Sequence, residues 1–132
     1  MYKWVYKYIG IPFVSNGRTM EGCDCYGLIR LVLKNEYNID IPELSNDYNN
    51  ALNIKETAKL FEEKRPVILS EKLIKPREKA LVIITERGVA AHIGIVAGSG
   101  FILHTGIKTG SICQRESHPG IKNRIEGYYS VC

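Results

Sequence analysis

The sequence lacks any apolar run approaching the ~20 residues that a membrane-spanning helix needs, so no membrane insertion is expected. Its first ten residues, "MYKWVYKYIG", are interrupted by Lys3 and Lys7, and no secretory h-region is visible. The chain is therefore expected to be made in the cytoplasm without a signal peptide. Cysteine is scarce: Cys23, Cys25, Cys113 and Cys132 are too few and too unevenly spaced for a disulfide scaffold. In a reducing compartment they are expected as free thiols. No Lys/Arg-rich block is present, and 18 basic against 14 acidic residues leave a net charge of only +4. That mild excess selects no partner by itself, and no nucleic-acid arm is expected. Internal repeats, low-complexity tracts and linkers are absent too.

The chain does have 132 residues with a 45% hydrophobic fraction. That is enough for one domain with a core of its own, and residues 1–132 are read as a single domain. The first half reads helical. Trp4, Val5, Tyr8 and Ile9 fit one face of a short helix stopped by Gly10 and Pro12. A loop, "PFVSNGRTMEG", follows, with turn residues at Asn16-Gly17 and Gly22. Cys25, Leu28, Ile29 and Val32 then stand at i, i+3, i+4 and i+7, which predicts a helix from Asp24 or Cys25 to about Asn35. Asp24 is its N-cap candidate. A third helix is expected over Ile54 to Lys64, capped by Asn53 with Glu56 at the capping-box position and Ile54, Ala58 and Phe61 inward.

After Pro66 the pattern becomes strand-like. "ALVIIT" (80–85), "VAAHIGIVA" (89–97) and "FILHT" (101–105) read as strands separated by turns, with weaker strands over 111–114 and 124–130. Helices first and a strand meander afterwards predict an α+β fold, N-terminal helices packed on a C-terminal antiparallel β-sheet.

Two clues carry chemistry. Cys25 opens the second helix on its core-facing stripe, where the dipole is positive. His92 and His104 flank a hairpin. A three-residue loop at 98–100 sets Ala97 opposite Phe101 and Gly94 opposite His104, with His92 diagonally beside it on the same face. A two-residue loop would put the histidines on opposite faces. Gly94, without a side chain, leaves room for the rings to meet. A thiol at a helix start beside an imidazole is expected to have a depressed pKa, and its base needs a third group to orient it. On this reading His92 activates Cys25 and His104 holds His92. The alternatives for Cys25 are a buried filler, half of a strained Cys23–Cys25 disulfide, or a zinc ligand with Cys23 and His92, His104 or His118. C-x-C is a poor zinc chelate, and no second cysteine pair completes it.

"GCDCYGLIRLV" resembles the "DCSGL" nucleophile segment of the NlpC/P60 cysteine peptidases. "HIGIVAGSGFILHT" is similar to their "HVGIY.G.G.FIHA" hairpin. "IGIPFVSNG" stands where that family has "G.PY..GG", and "NIDIPE" where it has "G..LP". The closing "RIEGYYSV" resembles the end of phage-tail members. The resemblance implies a papain-like NlpC/P60 fold in which Cys25 is the nucleophile, His92 the general base and then acid, and His104 the orienting residue. It implies a cysteine endopeptidase acting on peptidoglycan stem peptides, commonly between D-γ-glutamate and a diamino acid, with no metal and no cofactor. Asp24 matches an aspartate that helps receive the free amine of the substrate. Two substrate-binding positions depart from the pattern. Phe13 stands where a tyrosine is usual, and Tyr26 replaces a serine. With "KPREKALVI" in place of a "PGD" and no wall-targeting repeat visible, these departures point to a phage or prophage tail-associated enzyme, with other tail proteins as partners and a virion location. A tail-tip structural protein with the same fold and little or no activity is the alternative.

Overall fold

Helix and sheet divide the chain close to where its hydrophobic period changes. The computed structural model describes residues 1–132. A 3-10 helix, Lys3–Tyr8, leads to a two-stranded hairpin of β1 (Arg18–Thr19) and β2 (Gly22–Cys23). Next come α1 (Cys25–Tyr37) and α2 (Ile54–Ile68). Then follow β3 (Leu69–Lys72), β4 (Leu81–Glu86), β5 (Val89–Gly98), β6 (Phe101–Gly106), β7 (Gly110–Arg115) and β8 (Ile125–Val131). These six form one antiparallel sheet ordered β3-β8-β4-β5-β6-β7. The architecture is the expected α+β arrangement.

α1 forms where its stripe predicts. Asp24 caps it by accepting the Gly27 N–H at 2.9 Å, and Asn38 ends it in the left-handed region with φ 54°. Leu28, Ile29, Val32 and Leu33 are fully buried against Leu81, Ile83, Ile93, Ile95 and Leu103 of the sheet. Each such side chain contributes roughly 1.5–3 kcal/mol by leaving water, which seats the first turn of α1 on β5. A smaller cluster of Val82, Ile84, Val96, Ile102 and Ile121 covers the other sheet face.

Several elements differ from expectation. The N-terminal segment is a 3-10 helix ending at Tyr8, and Ile9 is 43% exposed instead of facing inward. α2 passes through Pro66 to Ile68, because a proline in the last turn forgoes only one helical bond and Ile68 gains full burial there. The chain then enters β3 directly, paired to β8. Asn53 caps α2 through the Glu56 N–H at 3.1 Å, but Glu56 reaches back to the Asn49 and Asn50 N–H groups instead of closing a capping box.

The β5–β6 hairpin reaches the expected register by another route. Ile95 pairs with Leu103 and Val96 with Ile102, but Gly98 pairs with Phe101. The turn is thus the two-residue Ser99-Gly100, and Ala97 is the extra residue of a bulge. By itself that short turn would send His92 and His104 to opposite faces; the bulge restores the shared face. A second register shift, between Ile84↔His92 and Thr85↔Ala90, leaves Ala91 extra immediately before His92. Gly94 permits the close approach: a Cβ there would lie 2.9 Å from the Leu103 carbonyl oxygen and 3.2 Å from the His104 Cβ.

Candidate active site

Cys25 is the first residue of α1 and is half-buried, while Cys23, two residues earlier on β2, is sealed in the core. The Cys25 thiol is pushed up to about 12, first by burial and then by the Asp24 carboxylate, although backbone groups of Ile93 and Tyr26 hydrogen-bond the sulfur and pull the other way. This reverses the depressed thiol expected from the helix start. Dipole stabilisation reaches at most about 2 kcal/mol in favourable sites, and here desolvation outweighs it.

The imidazoles meet as the hairpin register requires. His92 Nε2 and His104 Nδ1 are 3.0 Å apart, with ring centroids separated by 5.2 Å and planes at 78°. His104 Nε2 lies 2.7 Å from Gln114 Oε1 on β7. Burial, then His104 and Arg124, bring His92 down to about 3. Burial also lowers His104, against the support that Gln114 gives its charged form. Both rings are thus neutral at physiological pH, as is the thiol.

Cys25 and His92 open onto one cleft of about 60 Å³. Tyr26, Leu44 and Tyr48 form one wall, and α2 supplies Thr57, Leu60, Phe61 and Lys64. Ala91, His92 and Ile93 of β5 complete it. The lining is mainly apolar, with the polar groups gathered around the sulfur.

Asp24 lies beneath this cleft, 1% exposed. Its Oδ1 accepts from the Gly27 N–H at 2.9 Å and from Arg18 Nη1 at 3.0 Å. Its Oδ2 accepts from the Asn16 N–H at 2.9 Å and from the Tyr48 hydroxyl. Arg18 lies with its guanidinium 5.4 and 5.6 Å from the rings of Tyr26 and Tyr48, and its Nη2 donates to the Tyr48 oxygen at 2.7 Å. A carboxylate has about four acceptor positions, so a substrate amine reaching Asp24 has to displace one of these donors. The Tyr26 hydroxyl donates to the Pro42 carbonyl at 2.6 Å, which turns its ring to the cleft wall. Phe13 bridges Cys23 in parallel and does not line the cleft. No group of three or more His, Cys, Asp or Glu side chains is placed to hold a metal ion.

Arg18, Tyr48 and Gln114 escaped the reading of the sequence. Arg18 had a faint signal, since the turn residues at Asn16-Gly17 and Gly22 fold it back beside Cys23 and Asp24. Tyr48, in a polar loop, had none.

The sequence profile of the NlpC/P60 family matches residues 10–129. The chain belongs to the NlpC/P60 family. Solved structures similar to it include the NlpC/p60 domain of peptidoglycan hydrolase SagA, with TM-score 0.60 and 21% identity over 95% of this chain and 91% of that one. A Staphylococcus aureus NLP/P60 protein described as similar to lipoprotein has TM-score 0.63 and 20% identity, over 96% of this chain and 38% of that one. A Bacillus cereus NlpC/P60 family protein has TM-score 0.63 and 18% identity, over 92% and 35%. The chain therefore spans little more than a third of the last two proteins. At these identities the likeness is one of fold. No curated protein matches the sequence. Within the NlpC/P60 fold, the hairpin carrying His92 and His104 and the α1 start carrying Cys25 are the elements that converge on the cleft.

Proposed function

We propose that this NlpC/P60 protein is a cysteine peptidase that hydrolyses peptide bonds in peptidoglycan stem peptides, with Cys25 as nucleophile, His92 as base and then acid, and His104 orienting His92. One observation carries the reading: Cys25, at the start of a helix, and His92, hydrogen-bonded at its far nitrogen to His104, line a single cleft. Family membership supports the substrate class.

The resting pair is neutral, so the proton leaves the sulfur as the sulfur attacks. Sγ bonds to the scissile carbonyl carbon while His92 Nδ1 takes the thiol proton. The developing oxyanion lies beside the backbone N–H of Cys25, and such a donor typically matters by about 10²–10³ in rate. The C–N bond then breaks, and the His92 imidazolium gives its proton to the departing amine. Water, deprotonated by the same nitrogen, attacks the thioester and releases the acid and the free thiol. Desolvation makes the imidazolium a strong acid, which suits it to protonating an amine.

The bond between D-γ-glutamate and a diamino acid is the proposed target. Asp24 and Tyr26 are its proposed contacts, Asp24 accepting the amine in place of one of its present donors, while Phe13, expected as a third, stands outside the cleft. A phage or prophage tail is the proposed setting, supported by the departures at Phe13 and Tyr26 and by the tail-like "RIEGYYSV". A second reading, a tail-tip structural protein of low activity, is favoured by the raised thiol. The two separate when purified peptidoglycan is incubated with wild type and with Cys25→Ala and the fragments are read by mass spectrometry. Wild type is expected to release stem-peptide fragments, and the variant to do so at least about 10⁴-fold more slowly. Equal fragments from both would end the peptidase reading.

A further inference from the structure

One polar group at the site has no part in the reaction described above. One step beyond the Ile95–Leu103 pair, Gly94 of β5 comes beside His104 of β6, where a Cβ on it would lie 3.2 Å from the His104 Cβ, and His104 pairs with Ile112 of β7. His92 is two residues before Gly94, and Gln114 is two residues after Ile112. The three polar side chains therefore lie on one sheet face along a diagonal across three strands, linked at 3.0 and 2.7 Å.

Resting on the peptidase reading above, we infer that Gln114 is the positioning residue that sets which nitrogen of His92 carries the proton. An amide oxygen only accepts, so His104 must hold its proton on Nε2 to meet Gln114 Oε1. A neutral imidazole has one N–H, which leaves His104 Nδ1 bare. That nitrogen can only accept, so the proton of His92 sits on Nε2. His92 Nδ1 is then the bare nitrogen, and it is the only one left to receive the thiol proton. Reversing the amide at Gln114 would reverse every bond in the line and put a proton on His92 Nδ1, leaving no base.

Charged neighbours do not compete for this order. Glu86 Oε1, from the end of β4, lies 4.0 Å from His92 Nδ1, beyond hydrogen-bond reach. Arg124, before β8, acts on both rings through its field alone. Its Nε donates to the Gly120 carbonyl at 3.0 Å and its Nη1 to the Thr85 carbonyl at 3.4 Å. As a neutral acceptor, Gln114 fixes the tautomer without holding the imidazolium as firmly as a carboxylate would.

The test reads the tautomer directly, by long-range ¹⁵N–¹H correlation of the histidine rings in the full chain without substrate. Wild type is expected to show His92 and His104 neutral with the proton on Nε2. Gln114→Glu keeps that pattern as an acceptor-only side chain, holds kcat within about tenfold, and moves the acid limb of kcat/KM to higher pH. Gln114→Lys, a donor only, is expected to move the His92 proton to Nδ1 and to lower kcat by about 10²–10⁴ with KM unchanged, the scale of a wrong base tautomer in another hydrolase. A wild-type His92 protonated on Nδ1, or a Gln114→Lys chain with unchanged tautomer and rate, would overturn the inference. The tautomer is readable even if no peptidoglycan is cleaved, so failure of the peptidase reading is seen separately. Should Gln114→Lys not fold, the wild-type and Gln114→Glu spectra decide alone.

Discussion

The two sides of the cleft are held in opposite ways. On the thiol side, Asp24 gathers four donors from three segments of chain and neutralises a nearly buried arginine. On the imidazole side, His92, His104 and Gln114 form an unbranched line of neutral groups with two links. A branched charged cluster resists displacement in every direction, so it fixes where the helix begins. A neutral line has only two consistent directions of donation, so it fixes where a proton sits. Breaking the first is expected to move stability, and breaking the second to move rate.

The largest test of that contrast is Asp24→Ala. It strips the cap from α1 and leaves the Arg18 guanidinium buried without its partner, a change expected to cost about 3–5 kcal/mol, measured by urea unfolding. A loss below about 1 kcal/mol would mean that water replaces the carboxylate and that the cluster is no anchor. Gly94→Ala attacks the other side. The added methyl meets the Leu103 carbonyl and the His104 Cβ, so the hairpin must give at a cost of about 1–3 kcal/mol. Peptidoglycan hydrolysis is expected to fall much further than unfolding stability, as the rings part. Equal activity from the variant would separate the ring contact from the reaction.

A third effect is on pH. The unfolded chain takes up a proton at His92 near 6.5, but the folded one only near 3. Between those values the unfolded state binds more protons, so stability is fully present above about 6.5 and declines as pH falls toward 3. Cys25 acts on the alkaline side. Its thiol ionises near 9.0 when unfolded and near 12 when folded, so stability declines as pH rises from 9 toward 12. The melting temperature is expected to peak between about pH 6.5 and 9. His92→Gln should flatten the acid limb and Cys25→Ala should lessen the alkaline one. Unchanged limbs in these variants would assign the pH response to other groups.

What was legible in the sequence was local. The α1 stripe, its Asp24 cap and the apolar runs of β4, β5 and β6 depend on neighbours a few residues apart, and their periods are plain. The meeting of His92 and His104 was legible too, though by the wrong turn: three loop residues and two loop residues plus a bulge give the same register. β3 escaped because Pro66 reads as a stop, whereas tertiary burial of Ile68 carries the helix past it. Tyr48 lies 24 residues from the carboxylate it meets, and no local pattern announces such a contact. The thiol was misjudged for the same reason, since the helix start is visible in sequence but the depth of burial around it is not.

Ala97 adds one step of length to the hairpin, and its methyl group takes no part in the chemistry. A chain shortened by that residue alone would close the ladder, with Gly98 still opposite Phe101 and Val96 still opposite Ile102, so the two rings would keep their common side. Loss of this one small residue is thus a milder lesion than many exchanges of side chain, because a residue without a partner can leave the ladder without moving the pairs beyond it.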